Sequence, residues 1–78
     1  MPELILYHTA WCPFCVKVRN YLKQRNIEIA EKDTSKDLSA RQELLNKTGR
    51  GQVPCLFIDG EPLFESNDII QWFEDNWD

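Results

Sequence analysis

No apolar run in this 78-residue sequence approaches the length of a membrane-spanning helix. The first residues carry neither a charged leader nor an apolar segment followed by a cleavage signal. These absences predict a soluble protein of the cytoplasm. Cysteine is scarce as well, because three residues are too few, and odd in number, for the disulfide framework of a small secreted domain. A reducing compartment agrees with that count.

Basic side chains are absent from the last part of the chain. All nine lysine and arginine residues lie between Lys17 and Arg50. The formal net charge of −4 is therefore divided into +3 for residues 1–50 and −7 for residues 51–78. This asymmetry argues against a nucleic-acid partner. An acidic, solvated face on the last helix is the simplest explanation for it.

The apolar content is high for so short a chain. Hydrophobic residues make up 42% of it, and nine of them are Phe, Trp or Tyr. A chain of this size buries only about 60% of the surface that its unfolded form exposes, so the core must be small. We expect residues 1–78 to form a single domain that folds without disulfide bonds.

The first half of the sequence predicts two strands and two helices in alternation. Residues 4–7 form an apolar run of strand length, and Pro13 suits the first position of a helix that runs to about residue 25. Apolar residues alternate with polar ones in residues 27–33, which predicts a strand with one solvated face. A helix is predicted from about residue 37 to residue 48, closed by a glycine. Its expected buried residues are Leu38, Leu44 and Leu45.

The second half predicts a hairpin and a third helix. The dipeptide Asp59-Gly60, which tolerates positive φ angles, separates two short strands. The helix after them is expected to be capped by Ser66, Asn67 or Asp68. Its apolar side carries Ile69, Phe73 and Trp77. The resulting order βαβαββα, with a crossover helix between the first two strands, predicts an α/β fold with a mixed sheet flanked by helices.

Two cysteines flank Pro13 and Phe14 at the joint between the first strand and the first helix. Cys12 falls at the N-terminal cap of that helix, where free backbone N–H groups and the positive end of the helix dipole favour an anion. We therefore expect Cys12 to react as a thiolate nucleophile. Cys15 is expected to be more buried and less acidic, and to act as the resolving thiol. Pro13 stiffens the turn, so that the dithiol and the disulfide interconvert with little backbone movement.

A metal site is the competing interpretation of these sulfurs, and plain burial is a third. His8, Cys12, Cys15 and Cys55 are ligand types that Zn²⁺ takes in tetrahedral sites. The last pair of such a set, His8 and Cys55, lies far apart in the sequence, which disfavours a structural zinc site. We interpret His8 as a surface or rim histidine at the end of a strand, and Cys55 as a small buried side chain. A C-x-x-C motif at a strand-to-helix joint favours redox chemistry.

Three segments together resemble the glutaredoxin family: WCPFC after the first strand, TGRGQVP before the third, and DGEPLFESNDIIQWF at the end. The resemblance covers nearly the whole chain and implies a thioredoxin fold with a four-stranded mixed sheet and three helices. It also implies a glutathione-dependent thiol-disulfide oxidoreductase that reduces protein disulfides and glutathione mixed disulfides. The implied partners are glutathione and disulfide-containing or glutathionylated proteins. No metal is expected, and we expect a monomer.

The same resemblance implies a groove for glutathione beside the C-x-x-C motif. Pro54 matches the cis-proline of the family, and the backbone of Val53 is expected to pair with the cysteinyl part of glutathione like an added strand. Glu65 and Ser66 match the Glu-Ser pair that binds the γ-glutamyl end in the N-terminal domains of glutathione transferases and in the glutaredoxins most similar to them. A serine and the N–H groups at a helix start suit the carboxylate, and a glutamate suits the ammonium. The other expected glutathione-binding residues are Pro13, Phe14, Arg50 and Gln52.

Four positions depart from the family pattern. Thr9 stands where many glutaredoxins have a lysine that pairs with the glycine carboxylate of glutathione, and Arg50 is the candidate replacement. Gln52 and Phe14 stand where threonine and tyrosine are common, and Trp11 is typical of thioredoxins. A thioredoxin-like protein disulfide reductase therefore stays open, as does a module that binds zinc or an iron–sulfur cluster through the same cysteines. A glutathione transferase would need a second, helical domain, which we do not expect here.

Overall fold

The computed structural model describes residues 2–77, which form seven elements in the predicted order βαβαββα. The strands are β1 (Leu4–His8), β2 (Ala30–Asp33), β3 (Cys55–Ile58) and β4 (Glu61–Phe64). The helices are α1 (Pro13–Gln24), α2 (Leu38–Thr48) and α3 (Ser66–Asn76). Of the three helices in this described part of the chain, none has both the length and the hydrophobicity needed to cross a membrane.

The four strands form one mixed sheet in the order β2-β1-β3-β4. Helix α1 returns the chain so that β1 and β2 run parallel, whereas β3 pairs antiparallel with both β1 and β4. The register places Tyr7 of β1 opposite Cys55 of β3. The carboxyl end of β1 therefore lies beside the amino end of β3. The predicted mixed sheet is confirmed, and its arrangement is that of the thioredoxin fold.

Each face of the sheet carries its own apolar cluster because side chains alternate along a strand. On one face, α1 and α3 pack against the sheet in a cluster that includes Leu6, Val18 and Phe73. On the other face, Tyr7 packs with Leu44 of α2. The predicted apolar side of α1 is confirmed, since Cys15, Val18 and Leu22 are its buried residues. This packing holds the start of α1 against the end of the sheet.

Helix α2 buries a different set of residues from the predicted one. Ala40 and Leu44 are its buried residues, whereas Leu45 is only partly buried and Leu38 is 75% exposed. The reason is helical geometry: at about 100° per residue, Ala40 and Leu44 share a face and Leu38 lies on the opposite side of the helix. The predicted burial of Leu38 was therefore wrong. The predicted end was right, because Gly49 caps the helix in the left-handed conformation with φ of 76°.

Strand β2 begins at Ala30 and not at residue 27 as the alternation indicated. The chain leaves α1 through Asn26, which has φ of 56°, and the backbone N–H of Ile27 donates to Leu22 O at 2.9 Å. Residues 27–29 thus complete the exit from the helix, a common C-terminal arrangement. Ile27 is nevertheless buried in the core, and Ile29 packs against it. The alternation of Ile27 and Ile29 with polar residues therefore indicated correctly which side chains pack in the core, but not where the strand begins.

Candidate functional site

Cys12 is the N-terminal cap residue of α1, as the sequence predicts. Its backbone is extended (φ −82°, ψ 117°), and Pro13 begins the helix. The Cys12 carbonyl accepts a hydrogen bond from the backbone N–H of Val16 at 3.0 Å. The Cys12 side chain is half-buried and makes no capping hydrogen bond to the helix. Its sulfur is therefore presented at the positive end of the helix and remains accessible to a second sulfur.

Cys15 lies one turn further into α1 and is fully buried. Burial raises the pKa of the Cys15 thiol to about 12; hydrogen bonds from Thr9 oppose this shift and the neighbouring Cys12 adds to it. The expected contrast in burial between the two motif cysteines is confirmed. Two large apolar side chains flank Cys12 on the surface, since Trp11 is 75% exposed and Phe14 is 61% exposed.

The loop before β3 faces the C-x-x-C motif. The peptide bond between Val53 and Pro54 is cis, as the resemblance implies. The Sγ atom of Cys12 lies 3.9 Å from the carbonyl oxygen of Val53, within reach of a weak thiol hydrogen bond. Pro54 is buried and Val53 is half-buried, its side chain packed against the cluster around Tyr7. The backbone of Val53 therefore forms one wall beside the Cys12 sulfur.

The joint between β4 and α3 differs from the predicted cap. Glu65, and not Ser66, Asn67 or Asp68, is the cap residue, and its carbonyl accepts from the backbone N–H of Ile69 at 3.0 Å. Glu65 has a positive φ of 72° with ψ of 124°, a sparsely populated conformation that costs a non-glycine residue about 1–3 kcal/mol. Its side chain makes no capping hydrogen bond and is exposed, whereas Ser66 is buried. Such backbone outliers cluster at ligand sites.

Three residues that the resemblance assigns to glutathione binding form a chain of contacts in which Gln52 is the middle member. The Nε2 atom of Gln52 donates to Glu65 Oε1 at 3.1 Å, and the Nη1 atom of Arg50 donates to Gln52 Oε1 at 3.3 Å. The Arg50 guanidinium also lies over the Phe64 ring, 4.4 Å from its centroid. The loop before β3 is thereby tied to the joint between β4 and α3.

A contact that sequence analysis missed joins the starts of two helices. The Nζ atom of Lys17 in α1 donates to Asn67 Oδ1 in α3 at 2.6 Å. The two residues are 50 positions apart, so no local pattern announces the bond. It holds the helix that carries Cys12 beside the helix that begins at Ser66.

His8 is not the surface or rim histidine that the sequence predicts. It ends β1 but is only 5% exposed, because its face of the sheet lies under α1. Burial, followed by the positive charge of Arg19, lowers the pKa of the His8 ring, while the carboxylates of Glu31 and Asp33 oppose the shift. Its Nε2 atom lies 3.6 Å from Glu31 Oε1, and its buried Nδ1 atom has no hydrogen-bond partner within residues 2–77.

Cys55 is fully buried on β3, as predicted. Burial raises the pKa of its thiol to about 11. Across residues 2–77, no three His, Cys, Asp or Glu side chains lie close enough together to hold a metal ion. The four soft ligands considered for zinc, His8, Cys12, Cys15 and Cys55, are therefore not gathered in one cluster.

Comparison with known proteins agrees with this geometry. The glutaredoxin family model matches residues 4–63, a range that ends before Glu65. A glutaredoxin of Pseudomonas aeruginosa is 33% identical over 58 residues, which is 74% of this chain and 69% of the relative. The thioredoxin-like protein BC3987 is 34% identical in sequence. Its crystal structure superposes on this chain with a TM-score of 0.74, covering 88% of this chain and 97% of that one.

A crystal structure of a buckwheat glutaredoxin in complex with glutathione shares the fold. Its TM-score is 0.73 over 95% of this chain and 70% of that one, and the sequence identity is 19%. With the family match, the C-x-x-C motif at the helix start and the facing loop before β3, the assignment is complete: the chain belongs to the glutaredoxin family, has its thioredoxin fold and is a thiol oxidoreductase.

Proposed function

We propose that this protein is a glutathione-dependent thiol-disulfide oxidoreductase that reduces protein disulfides and glutathione mixed disulfides through Cys12 and Cys15. The observation that carries the proposal is the 3.9 Å separation between Cys12 Sγ and Val53 O. An extended peptide that pairs with the Val53 backbone brings its own cysteinyl sulfur to Cys12. The glutathione complex of the buckwheat relative supports glutathione as that peptide.

Reduction of a glutathione mixed disulfide needs only Cys12. Its thiolate attacks the glutathione sulfur, a Cys12–glutathione disulfide forms, and the original disulfide breaks to release the substrate thiolate, which takes a proton from water. The thiolate of a second glutathione then attacks the glutathione sulfur on Cys12. This step releases oxidised glutathione and restores the Cys12 thiolate, so that one free glutathione is consumed for each mixed disulfide and the other half of the oxidised glutathione comes from the substrate.

Reduction of a protein disulfide also needs Cys15. Attack by the Cys12 thiolate breaks the substrate disulfide, leaving one substrate sulfur bonded to Cys12 and the other as a thiolate that takes a proton from water. Cys15 then loses its proton to water and attacks Cys12 Sγ. The Cys12–Cys15 disulfide forms as the reduced protein leaves, and two glutathione molecules reduce that disulfide in turn. The raised pKa of Cys15, caused by burial, keeps this thiol protonated while Cys12 makes the first attack.

The proposed glutathione site extends from Cys12 towards α3. The Glu65 carboxylate suits the γ-glutamyl ammonium, and Ser66 with the free N–H groups of the α3 start suits the neighbouring carboxylate. Arg50 is the proposed partner of the glycine carboxylate in place of the family lysine. Pro13 and Phe14 form the apolar side of the groove next to Cys12.

We further propose that the protein is a single domain that acts as a monomer in the cytoplasm, without a resident metal or a nucleic-acid partner.

A thioredoxin-like reductase of protein disulfides is the second candidate. The exposed Trp11 and Phe14 beside Cys12 favour a protein substrate, and the thioredoxin-like protein BC3987 is 34% identical. In this alternative, electrons come from a thioredoxin reductase and the residues around Glu65 bind no glutathione.

One assay separates the two candidates. Reduction of a glutathionylated peptide and of a protein disulfide is followed with NADPH, first with glutathione and glutathione reductase, then with thioredoxin reductase alone. We expect turnover of both substrates in the first system and little in the second. Turnover only with thioredoxin reductase would replace the proposal with the second candidate.

A further inference from the structure

Gln52 lies between the two charged side chains that are proposed to bind opposite ends of glutathione. Its Nε2 atom contacts the Glu65 carboxylate at 3.1 Å, and its Oε1 atom contacts the Arg50 guanidinium at 3.3 Å. One planar amide thus donates to an anion and accepts from a cation. Both contacts have the polarity that the charged groups require.

The backbones that carry these charges are fixed by other contacts. The Arg50 backbone N–H donates to Thr48 Oγ1 at 3.2 Å, and the Arg50 carbonyl oxygen accepts from the same hydroxyl at 2.7 Å. The Glu65 backbone is held at φ of 72° at the start of α3. The folded chain therefore does not depend on Gln52 to bring the two residues near each other.

The charged ends have few other contacts: within residues 2–77, the Arg50 guanidinium also lies over the Phe64 ring, and the Glu65 carboxylate accepts a hydrogen bond only from Gln52. Arg50 and Glu65 are both exposed, and each is a long side chain with several rotatable bonds. They contact opposite atoms of one amide group, so removal of that group allows the two side chains to turn towards each other and form a direct ion pair. Such a pair would neutralise both charges, and a ligand would have to break it before binding.

We infer that Gln52 is a positioning residue that holds the Glu65 carboxylate and the Arg50 guanidinium apart, each ready for one end of a zwitterionic peptide. The inference rests on the proposed glutathione-dependent activity and deepens it. Gln52 acts through its two neighbours and not through a contact of its own with glutathione. The site then favours a ligand with an ammonium and a carboxylate at separated ends over one that carries a single charge.

The first test is steady-state kinetics of Gln52→Ala and Gln52→Glu with a peptide that carries one glutathione in mixed disulfide linkage. We expect Gln52→Ala to lower kcat/KM about threefold to tenfold, mainly through KM, because it removes two exposed hydrogen bonds to charged groups. Gln52→Glu has nearly the same shape but repels Glu65 and attracts Arg50, so KM should rise further. A role in packing alone would leave Gln52→Glu close to the parent.

The decisive test repeats Gln52→Ala in a chain that already carries Arg50→Ala and Glu65→Ala. If Gln52 acts through these two residues, Gln52→Ala in this background changes kcat/KM by less than about twofold. The side chains that Gln52 positions are already absent there, and the effects of mutations at residues in contact do not add. An effect that persists at full size in this background means a direct contact with glutathione and overturns the inference. An unchanged KM for Gln52→Ala in the parent overturns it as well.

Gln71→Ala is the matched control. Gln71 on α3 also donates from Nε2 to an exposed carboxylate, Asp75 Oδ1, at 2.9 Å, but it lies outside the proposed groove. We expect its KM to equal that of the parent. If the Arg50→Ala, Glu65→Ala background itself binds glutathionylated peptide like the parent, the proposed glutathione site is wrong, and the inference falls with it.

Discussion

The Sγ atom of Cys12 lies 3.9 Å from the backbone oxygen of Val53, a residue 41 positions later in the chain. The sheet explains this contact. Strands β1 and β3 are antiparallel neighbours with Tyr7 opposite Cys55, so the loop that leaves β1 meets the loop that enters β3. The first of these loops leads to the reactive sulfur, and the second supplies backbone that can pair with a peptide. The proposed activity depends on this meeting.

Replacing each motif cysteine by serine should separate the two proposed thiol roles. Cys12→Ser is expected to abolish reduction of both substrates, since it removes the nucleophile. Cys15→Ser should still reduce a glutathionylated peptide and lose most reduction of a protein disulfide, since only the latter needs a resolving thiol. NADPH consumption with glutathione reductase measures both activities. Equal loss of both activities in the two variants would contradict the assignment.

Alkylation should modify one thiol of the folded protein. Cys12 is half-exposed, whereas Cys15 and Cys55 are fully buried and burial raises the pKa of their thiols to about 12 and about 11. Near neutral pH, iodoacetamide is therefore expected to add once to the native chain, at Cys12, and three times after denaturation. Mass spectrometry of digested protein locates each adduct. Rapid native labelling of Cys55 would show that its strand opens readily.

Removing the Glu65 carboxylate should weaken binding of glutathione without altering the sulfur chemistry. Glu65→Ala is expected to lower kcat/KM for a glutathionylated peptide about tenfold, chiefly through KM, the effect of losing one charge-assisted contact. Alkylation of Cys12 should proceed at the parent rate. Glu61→Ala, which removes an exposed acidic side chain from β4, is the control for the change in net charge. Equal KM values for the Glu65 and Glu61 variants would contradict the proposed site.

The contribution of Arg50 should depend on salt. Arg50→Ala is expected to raise KM for a glutathionylated peptide about threefold to tenfold at low ionic strength, and the difference from the parent should shrink towards about 0.5 M salt, because an exposed charge is screened. Arg41→Ala removes another exposed positive charge, on α2, and should leave KM unchanged. A salt-independent loss in Arg50→Ala would point instead to the lost stacking on Phe64.

The free energy of unfolding should decrease as the pH is lowered below 6.5, because of His8. Burial and Arg19 lower the pKa of the folded His8 ring below its ordinary value of 6.5, although Glu31 and Asp33 oppose this. The unfolded chain therefore binds more protons than the folded chain as pH drops through 6.5 towards the folded pKa, so the His8 contribution is complete above 6.5 and is lost below it. Urea unfolding between about pH 7.5 and pH 5.5 should show a steeper loss for the parent than for His8→Gln.

An identical pH dependence of the free energy of unfolding in the parent and in His8→Gln would contradict this prediction. Comparing the two chains removes the contribution of the carboxylates, which both of them share. The comparison therefore isolates the His8 ring.

Local sequence was sufficient for the order of the elements and for the two motif cysteines. Pro13 marks the start of α1. Cys12 directly precedes it and is therefore at the cap, and Cys15, three residues after Cys12, is inside the first turn. The helix end at Gly49 and the turn at Asp59-Gly60 could likewise be predicted from adjacent residues, since local backbone sterics determine which residues adopt positive φ angles. The positions of the two cysteines at the start of α1 could therefore be predicted.

Tertiary packing decided the features that the pattern predicted wrongly or did not contain. The burial of His8 and the exposure of Leu38 depend on how α1 and α2 lie against the sheet, which neither segment specifies alone. The chain from Arg50 through Gln52 to Glu65 joins two loops that meet only because β3 and β4 bring them together. The order of the elements, the start of α1 and the end of α2 follow from neighbouring residues, whereas contacts between distant loops exist only once the sheet has set their distance and direction.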